Sequence, residues 1–335
     1  MLRLVNKPDF AIDRRAQLAY DWACTQLHAH DLTFAPASAD ASFRRYFRLT
    51  APGRSWVLMD APPDKEDCQP FIHVADLIQR AGLNGPVVHA QNLPQGFLLL
   101  SDLGNQTYLH VINAANADEL FAPTIDALIR WQLSSKPNEL PPYDEALLRR
   151  ELALFPDWYV AKHLTRSLTP AQAKALRAAE DVLVARALAQ PKVYVHRDYM
   201  PRNLMISTPN PGILDFQDAV YGPITYDVAS LFKDAFLSWP EARVQAWVRQ
   251  YWEKAQQAGL PVAADFKAFY TDFELMGVQR HLKVLGIFAR INYRDGKPHY
   301  LKDTPRFIRY VREVATRYAE LSGLLALFDE LGLHA

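Results

Sequence analysis

The chain has 335 residues, 50% of them hydrophobic and 22% charged, which suits a folded enzyme of two lobes and excludes a fibrous or disordered chain. Lysine plus arginine equals aspartate plus glutamate at 37 each, so no global field recruits nucleic acid or an anionic membrane surface. Cys24 and Cys68 stand in no metal or redox spacing, the N-terminus has no apolar signal core, and no run is long enough to span a bilayer. The expected location is therefore a reducing cytoplasm, and the expected assembly a monomer.

From Asp13 to His28 apolar residues fall at helical spacing, and Leu32 to Phe34 reads as extended. Ala37 to Ser42 is a run of small residues, whose backbone amides can approach an anion closely. Ser42 to Thr50 then alternates aromatic and basic residues, and Trp56 to Met59 returns as the second strand of a hairpin. A helix is expected over Gln69 to Gly82. Strands are expected at Pro86 to Val88 and Gly96 to Leu100, the second ending at Ser101-Asp102-Leu103-Gly104. Beyond Gly104 the pattern turns helical. Segments run from Asp118 to Leu133, from Tyr143 to Leu164 with a break at Pro156, and from the capping box Thr169-Pro170-Ala171-Gln172 to Ala189.

Lys192 to Asp218, KVYVHRDYMPRNLMISTPNPGILDFQD, carries the chemistry. Val193 to Val195, Leu204 to Ile206 and Ile213-Leu214 read as three short strands delivering Asp198, Asn203 and Asp215 to a common edge. Phosphoryl transfer needs that set: one acid orients the attacking hydroxyl, while an amide and a second acid hold magnesium against ATP. The alternative, that these residues only cap turns, does not explain their joint spacing.

Only Phe216 to Pro223 separate Asp215 from the next expected helix, Thr225 to Phe236, with Asp227 in its first turn. Asp227 is expected to brace the catalytic loop, or to serve simply as a first-turn acid. Ser238-Trp239-Pro240-Glu241 reads as a second capping box opening a helix to Gln257. A long periodic helix follows from Ala264 to Ile291, then a helical end from Pro305 to Leu331. Between Gln279 and Arg309 eight basic residues face two acids, Asp295 and Asp303, so an acceptor cleft lined by this segment suits a neutral or anionic substrate. Arg280 and Arg290, inside the apolar pattern, are the candidates for a bidentate partner of a substrate carboxylate; the other reading is an ordinary solvated helix face.

HRDYMPRN followed by LDFQD resembles the catalytic and metal motifs of the protein-kinase-like superfamily, in its aminoglycoside phosphotransferase and choline kinase branch. The hairpin SFRRYFRL…WVLMDAPP, the segment LLLSDLG and the stretch GVQRHLKVLGIFARINYRDGKPHYLKDTPR narrow the resemblance to the bacterial anomeric N-acetylmuramate/N-acetylglucosamine kinases. The resemblance implies an α+β, bilobal protein-kinase-like fold. Its nucleotide-binding lobe spans residues 1–101, its hinge 102–104, and its helical lobe with the acceptor site 105–335. It further implies ATP and Mg2+ as cofactors and an amino sugar as substrate. Asp198 is then the base, Asn203 and Asp215 the metal ligands, His196 a brace of the loop, Tyr199 a substrate contact, and Asp102 and Leu103 adenine contacts.

Two departures stand out. The position of the phosphate-binding lysine is taken by Met59, and the helix after it holds no glutamate to pair with one. Arg44 or Arg45, with Ser42 of the small-residue loop, is expected to meet the phosphates instead, unless both arginines face solvent. No protein-substrate platform follows Asp215, which favours a small-molecule acceptor. Another hydroxyl acceptor (an aminoglycoside, choline or homoserine) and a silent binding protein are the competing readings.

Overall fold

A computed structural model describes residues 13–39 and 43–334, and the chain divides into two units, residues 1–124 with 201–218 and residues 125–200 with 219–335. In the first unit, Asp13 accepts the amide of Ala16 and so caps α1 (Arg14–Leu27). Strands β1 (Thr33–Ala39), β2 (Arg45–Ala51) and β3 (Arg54–Asp60) form an antiparallel meander. Helix α2 (Gln69–Arg80) precedes β4 (Val88–Asn92) and β5 (Phe97–Ser101), which complete a sheet in the order β1-β2-β3-β5-β4.

Strand alternation sorts this sheet into two faces. Phe47, Leu49, Leu58, Phe97 and Leu99 pack with Ala16, Ala19, Tyr20 and Ala23 of α1. Tyr46, Met59 and Leu98, cross-strand neighbours of one another, lie on the opposite face. Gly96 joins β5 to the end of β3 at φ +69°, where a Cβ would stand 1.8 Å from the Ala61 carbonyl oxygen, so only glycine allows the approach. A short helix α3 (Tyr108–Val111) follows the sheet, and α4 (Ala117–Leu133) carries the chain into the second unit.

The second unit is mainly helical. Helix α5 (Glu145–Leu152) is followed by a wide π-helical segment, Phe155–His163, with Pro156 in its first turn. Helix α6 (Pro170–Ala189) starts at the reciprocal Thr169/Gln172 capping box read from the sequence. Strand β6 (Lys192–Val195) comes next. The expected three-strand edge is corrected here: β7 (Leu204–Met205) pairs with β8 (Gly212–Ile213) in the first unit, whereas β6 pairs with β9 (Val220–Pro223) in the second. Val220-Tyr221-Gly222-Pro223 ends in Gly-Pro and reads as a turn, so its pairing with β6 has no local signal.

Helix α7 (Tyr226–Phe232) is shorter than expected, because Asp234 accepts the amides of Phe236 and Leu237 and turns the chain away. The capping box expected at Ser238 does not form ahead of α8 (Glu241–Gln257). Ser238 Oγ instead accepts from Arg306 Nε at 2.9 Å and from the Tyr310 hydroxyl, and Glu241 takes Lys233 and the Tyr270 hydroxyl. Charged and phenolic donors from distant helices outcompete the local amides. Helix α9 (Phe266–Asp295) is capped by Asp265 and closed by Gly296 in the left-handed conformation; α10 (Thr304–Arg317) packs against it, and α11 (Ser322–Glu330) packs against α6 and α10. Among the described residues no helix is long and apolar enough to cross a membrane.

Candidate active site

In the second unit, β6 feeds directly into His196-Arg197-Asp198. Arg197 takes a left-handed backbone conformation, φ +76°, which is rare outside glycine and concentrates at functional turns. That turn aims the amides of His196 and Arg197 at the Asp227 carboxylate, at 2.6 and 2.9 Å. Asp227 is fully buried, and burial pushes it up to about 7 against the pull of those two amides; the negative charge of Asp198 raises it further and Arg280 opposes the rise. The Asp198 amide donates to His196 Nδ1 at 3.3 Å, and the His196 ring meets the Tyr199 ring edge-on at 5.6 Å. Asp198 is half-buried, and Tyr199 is buried at 1% exposure.

Beneath this loop lies a cluster that the residue pattern alone did not reveal. Glu151 on α5, 4% exposed, is the acceptor at its centre. One of its oxygens takes Lys283 Nζ at 2.9 Å and the Arg197 guanidinium; the other takes the Tyr143 hydroxyl and Gln279 Nε2, the latter at 3.2 Å. Burial alone would raise Glu151, but Lys283 and Arg197 outweigh it and hold the carboxyl at about 2. Lys283 also donates to the Tyr226 hydroxyl at 2.9 Å. Arg280 is 2% exposed, its Nε and Nη1 have no hydrogen-bond partner, and its charge acts on Asp227 and Asp234. Burial pushes Asp234 up to about 6. Arg290 is half-buried, with Nε unpartnered and no carboxylate within 4.0 Å among the described residues. Burial and Arg294 both lower its affinity for the proton.

In the first unit, Asn203 precedes β7 and Asp215 follows β8, and the β7–β8 ladder brings their side chains together. Asn203 Nδ2 donates to Asp215 Oδ2 at 3.1 Å, and Asp215 has a left-handed φ of +63°. Gln217 Nε2 donates to the other Asp215 oxygen at 2.9 Å, which leaves the buried Gln217 Oε1 without a partner. A carboxylate with amide oxygens beside it is a hard, all-oxygen donor set, and an orphaned buried acceptor fits a cation ligand. Phe216, between the two, packs its ring on Phe71 of α2 with centroids 4.8 Å apart and so fixes the turn.

The two candidate phosphate-binding arginines lie in different surroundings. Arg45 shares the α1 face of the sheet with Phe47 and is engaged by Asp13 and by the fully buried Asp60, which Arg15 also contacts at 2.7 Å. Arg44 pairs with Glu66 at 3.0 Å, and Glu66 also accepts the Phe43 amide at 3.1 Å. Glu66 lies just ahead of α2, which itself holds no glutamate. Ser42 lies outside the described residues. Asp102 is held by Arg48 through two bonds of 2.7 and 3.0 Å, and although burial opposes it, Arg48 keeps its carboxyl below the usual range. Leu103 approaches Gly212 of β8, where a Cβ would lie 3.1 Å from its Cδ1.

The Phosphotransferase enzyme family matches residues 33–266. A Pseudomonas putida protein described as N-acetylmuramate/N-acetylglucosamine kinase is 60% identical over 88% of this chain and 87% of its own length. A Pseudomonas aeruginosa protein of the same description is 58% identical over 88% of both. Among solved structures, a choline kinase from Streptococcus pneumoniae superposes with a TM-score of 0.64 at 12% identity, covering 90% of this chain and 99% of that one.

Proposed function

The chain belongs to the phosphotransferase enzyme family, and from that premise we propose that it transfers the γ-phosphoryl group of ATP to the C1 hydroxyl of N-acetylmuramate and N-acetylglucosamine. The observation that carries this reading is the Asn203–Asp215–Gln217 oxygen set in a chain 60% identical to a kinase of those two sugars.

Asp198 orients the sugar hydroxyl and accepts its proton as the oxygen attacks the γ-phosphorus in line. The bond to ADP breaks and its electron pair leaves on the β-phosphate. An anomeric hydroxyl is more acidic than an ordinary alcohol, so a carboxylate is base enough. Asn203 and Asp215, with Gln217 Oε1, are the groups to hold Mg2+, which when bound neutralises charge on the phosphates. His196 and Asp227 brace the loop, and Tyr199, through its contact with His196, supports the acceptor side. Leu103 and the backbone of Asp102 are assigned to adenine, the Asp102 carboxylate being committed to Arg48.

Arg44, oriented by Glu66, is the cation we assign to the ATP phosphates in place of a lysine at Met59, and Ser42 is assigned to the same phosphates. Arg45 is already bound by two carboxylates on the α1 face, and we give it second place. Arg44→Ala is expected to weaken ADP and ATP about tenfold while leaving adenosine binding unchanged, as charge-assisted bonds of ~1.5–3 kcal/mol predict. Calorimetric titration reads this, and equal losses for all three ligands remove the assignment.

Of the two arginines expected at the acceptor, Arg290 suits the lactyl carboxylate of N-acetylmuramate, being half-buried and without an acid partner. Arg280, deeper and acting on Asp227 and Asp234, supports the site from within. Arg290→Ala should raise the KM for N-acetylmuramate about tenfold and leave that for N-acetylglucosamine unchanged. A uniform rise contradicts that role. The function itself is tested by phosphate transfer from γ-labelled ATP to N-acetylmuramate, N-acetylglucosamine, choline, homoserine and kanamycin. Labelling of the two amino sugars alone is expected, and labelling of kanamycin or choline in their place overturns the reading.

A further inference from the structure

We infer that Glu151 and Lys283 are a positioning pair that holds the Arg197–Asp198 backbone in its reactive conformation, acting through the Arg197 side chain and through Tyr226. This rests on the reading of Asp198 as the group that orients the acceptor.

The contacts close into a ring. Glu151 binds the Arg197 guanidinium and Lys283; Lys283 binds Tyr226; Tyr226 adjoins Asp227 in the chain; and Asp227 takes the Arg197 backbone amide. Arg197 is thus held twice, by its side chain and by its backbone, at a φ of +76° that a non-glycine residue otherwise avoids. Three elements contribute: α5 through Glu151, α9 through Lys283 and Gln279, and α7 through Tyr226 and Asp227. Glu151 receives two donors on each oxygen, so its acceptor capacity is filled and its rotamer fixed.

Stability does not account for such a cluster. One anion and two cations stand in a buried site, and well-packed apolar residues of the same volume are commonly neutral or better there. What the ions supply that apolar residues do not is direction. The Arg197–Glu151 pair fixes the rotation of the residue preceding Asp198, and Lys283 keeps Glu151 from following Arg197 alone. Asp198 lies within electrostatic reach of both Arg197 and Lys283, so the cluster of two cations on one carboxylate also leaves a net positive charge beneath the base.

The test uses the full chain with Glu151→Gln, Lys283→Met, Lys283→Arg and the double variant E151Q/K283M. Glu151→Gln is expected to lower kcat about 100-fold, the loss typical of a misplaced catalytic group, with KM for ATP and sugar within about threefold. Lys283→Arg should retain most of the rate that Lys283→Met loses. The double variant should lose no more than the worse single one, because the two act as one unit. If Glu151→Gln does not fold, Lys283→Met, which keeps the Arg197–Glu151 pair, carries the same expectation. Amide exchange at His196, Arg197 and Asp198 reads the ring independently of any acceptor. Faster exchange there in the variants, with the β1–β5 sheet unchanged, supports the pair. Unchanged exchange and a wild-type kcat overturn it, as do losses that simply add and follow Tm. Failure of the wild-type enzyme to phosphorylate a sugar is a separate result, which overturns the acceptor and leaves the exchange measurement to decide the pair.

Discussion

Asp198→Asn is expected to lower kcat by about 10²–10⁴, the range a positioned general base contributes, with ATP affinity changed less than threefold. Asparagine keeps the size and planar shape of the side chain, and the Asp198 amide bond to His196 does not involve the carboxylate. Stability should not suffer. The Asp198 charge is among the causes that raise the buried Asp227, so removing it relieves a like-charge repulsion that offsets the lost attraction to Arg197 and Lys283. A variant that melts close to the wild-type temperature, binds ATP and turns over at the background rate isolates the proton-accepting role. More than a tenth of wild-type kcat at saturating sugar assigns the proton to another group.

Asp215→Asn has a comparably large expected effect for a different reason. The change removes the single carboxylate of the oxygen set while keeping its shape, and asparagine, like aspartate, tolerates the left-handed φ of +63° at this position. Electrostatic neutralisation at such a site is worth ~4 kcal/mol, so turnover should fall about 10³-fold. The Mg2+ concentration for half-maximal activity should rise in parallel, and adenosine, which needs no cation, should bind as before. An unchanged Mg2+ requirement would place the cation elsewhere.

The contrast between these two residues and the cluster under the loop explains what the sequence made legible. Asp198, Asn203 and Asp215 lie within a short stretch whose spacing is dictated by a turn and a hairpin, so local reading finds them. Glu151 meets Arg197 across 46 residues and Gln279 across 128. On α5 it sits next to Arg149 and Arg150 and reads as one more helix-surface charge; only tertiary packing shows that it is the buried one. Gln217 had a signal, an amide two residues after Asp215, the acid we assign to the metal, in a buried strand-end motif. Glu66 had one too, an acid just ahead of the helix rather than within it. Of the elements, long periodic helices such as α9 and the capped α6 are written locally. The pairing of β6 with β9 and the loss of the Ser238 cap depend on partners far along the chain.

The position of the phosphate on the product tests the central claim most directly. Wild-type enzyme incubated with ATP, Mg2+ and N-acetylmuramate should yield a sugar whose phosphorus couples to the anomeric proton in the NMR spectrum and whose phosphate is released by mild acid, as for a 1-phosphate. An acid-stable product with the phosphate coupled to another position, or no phosphorylated sugar at all, contradicts the account.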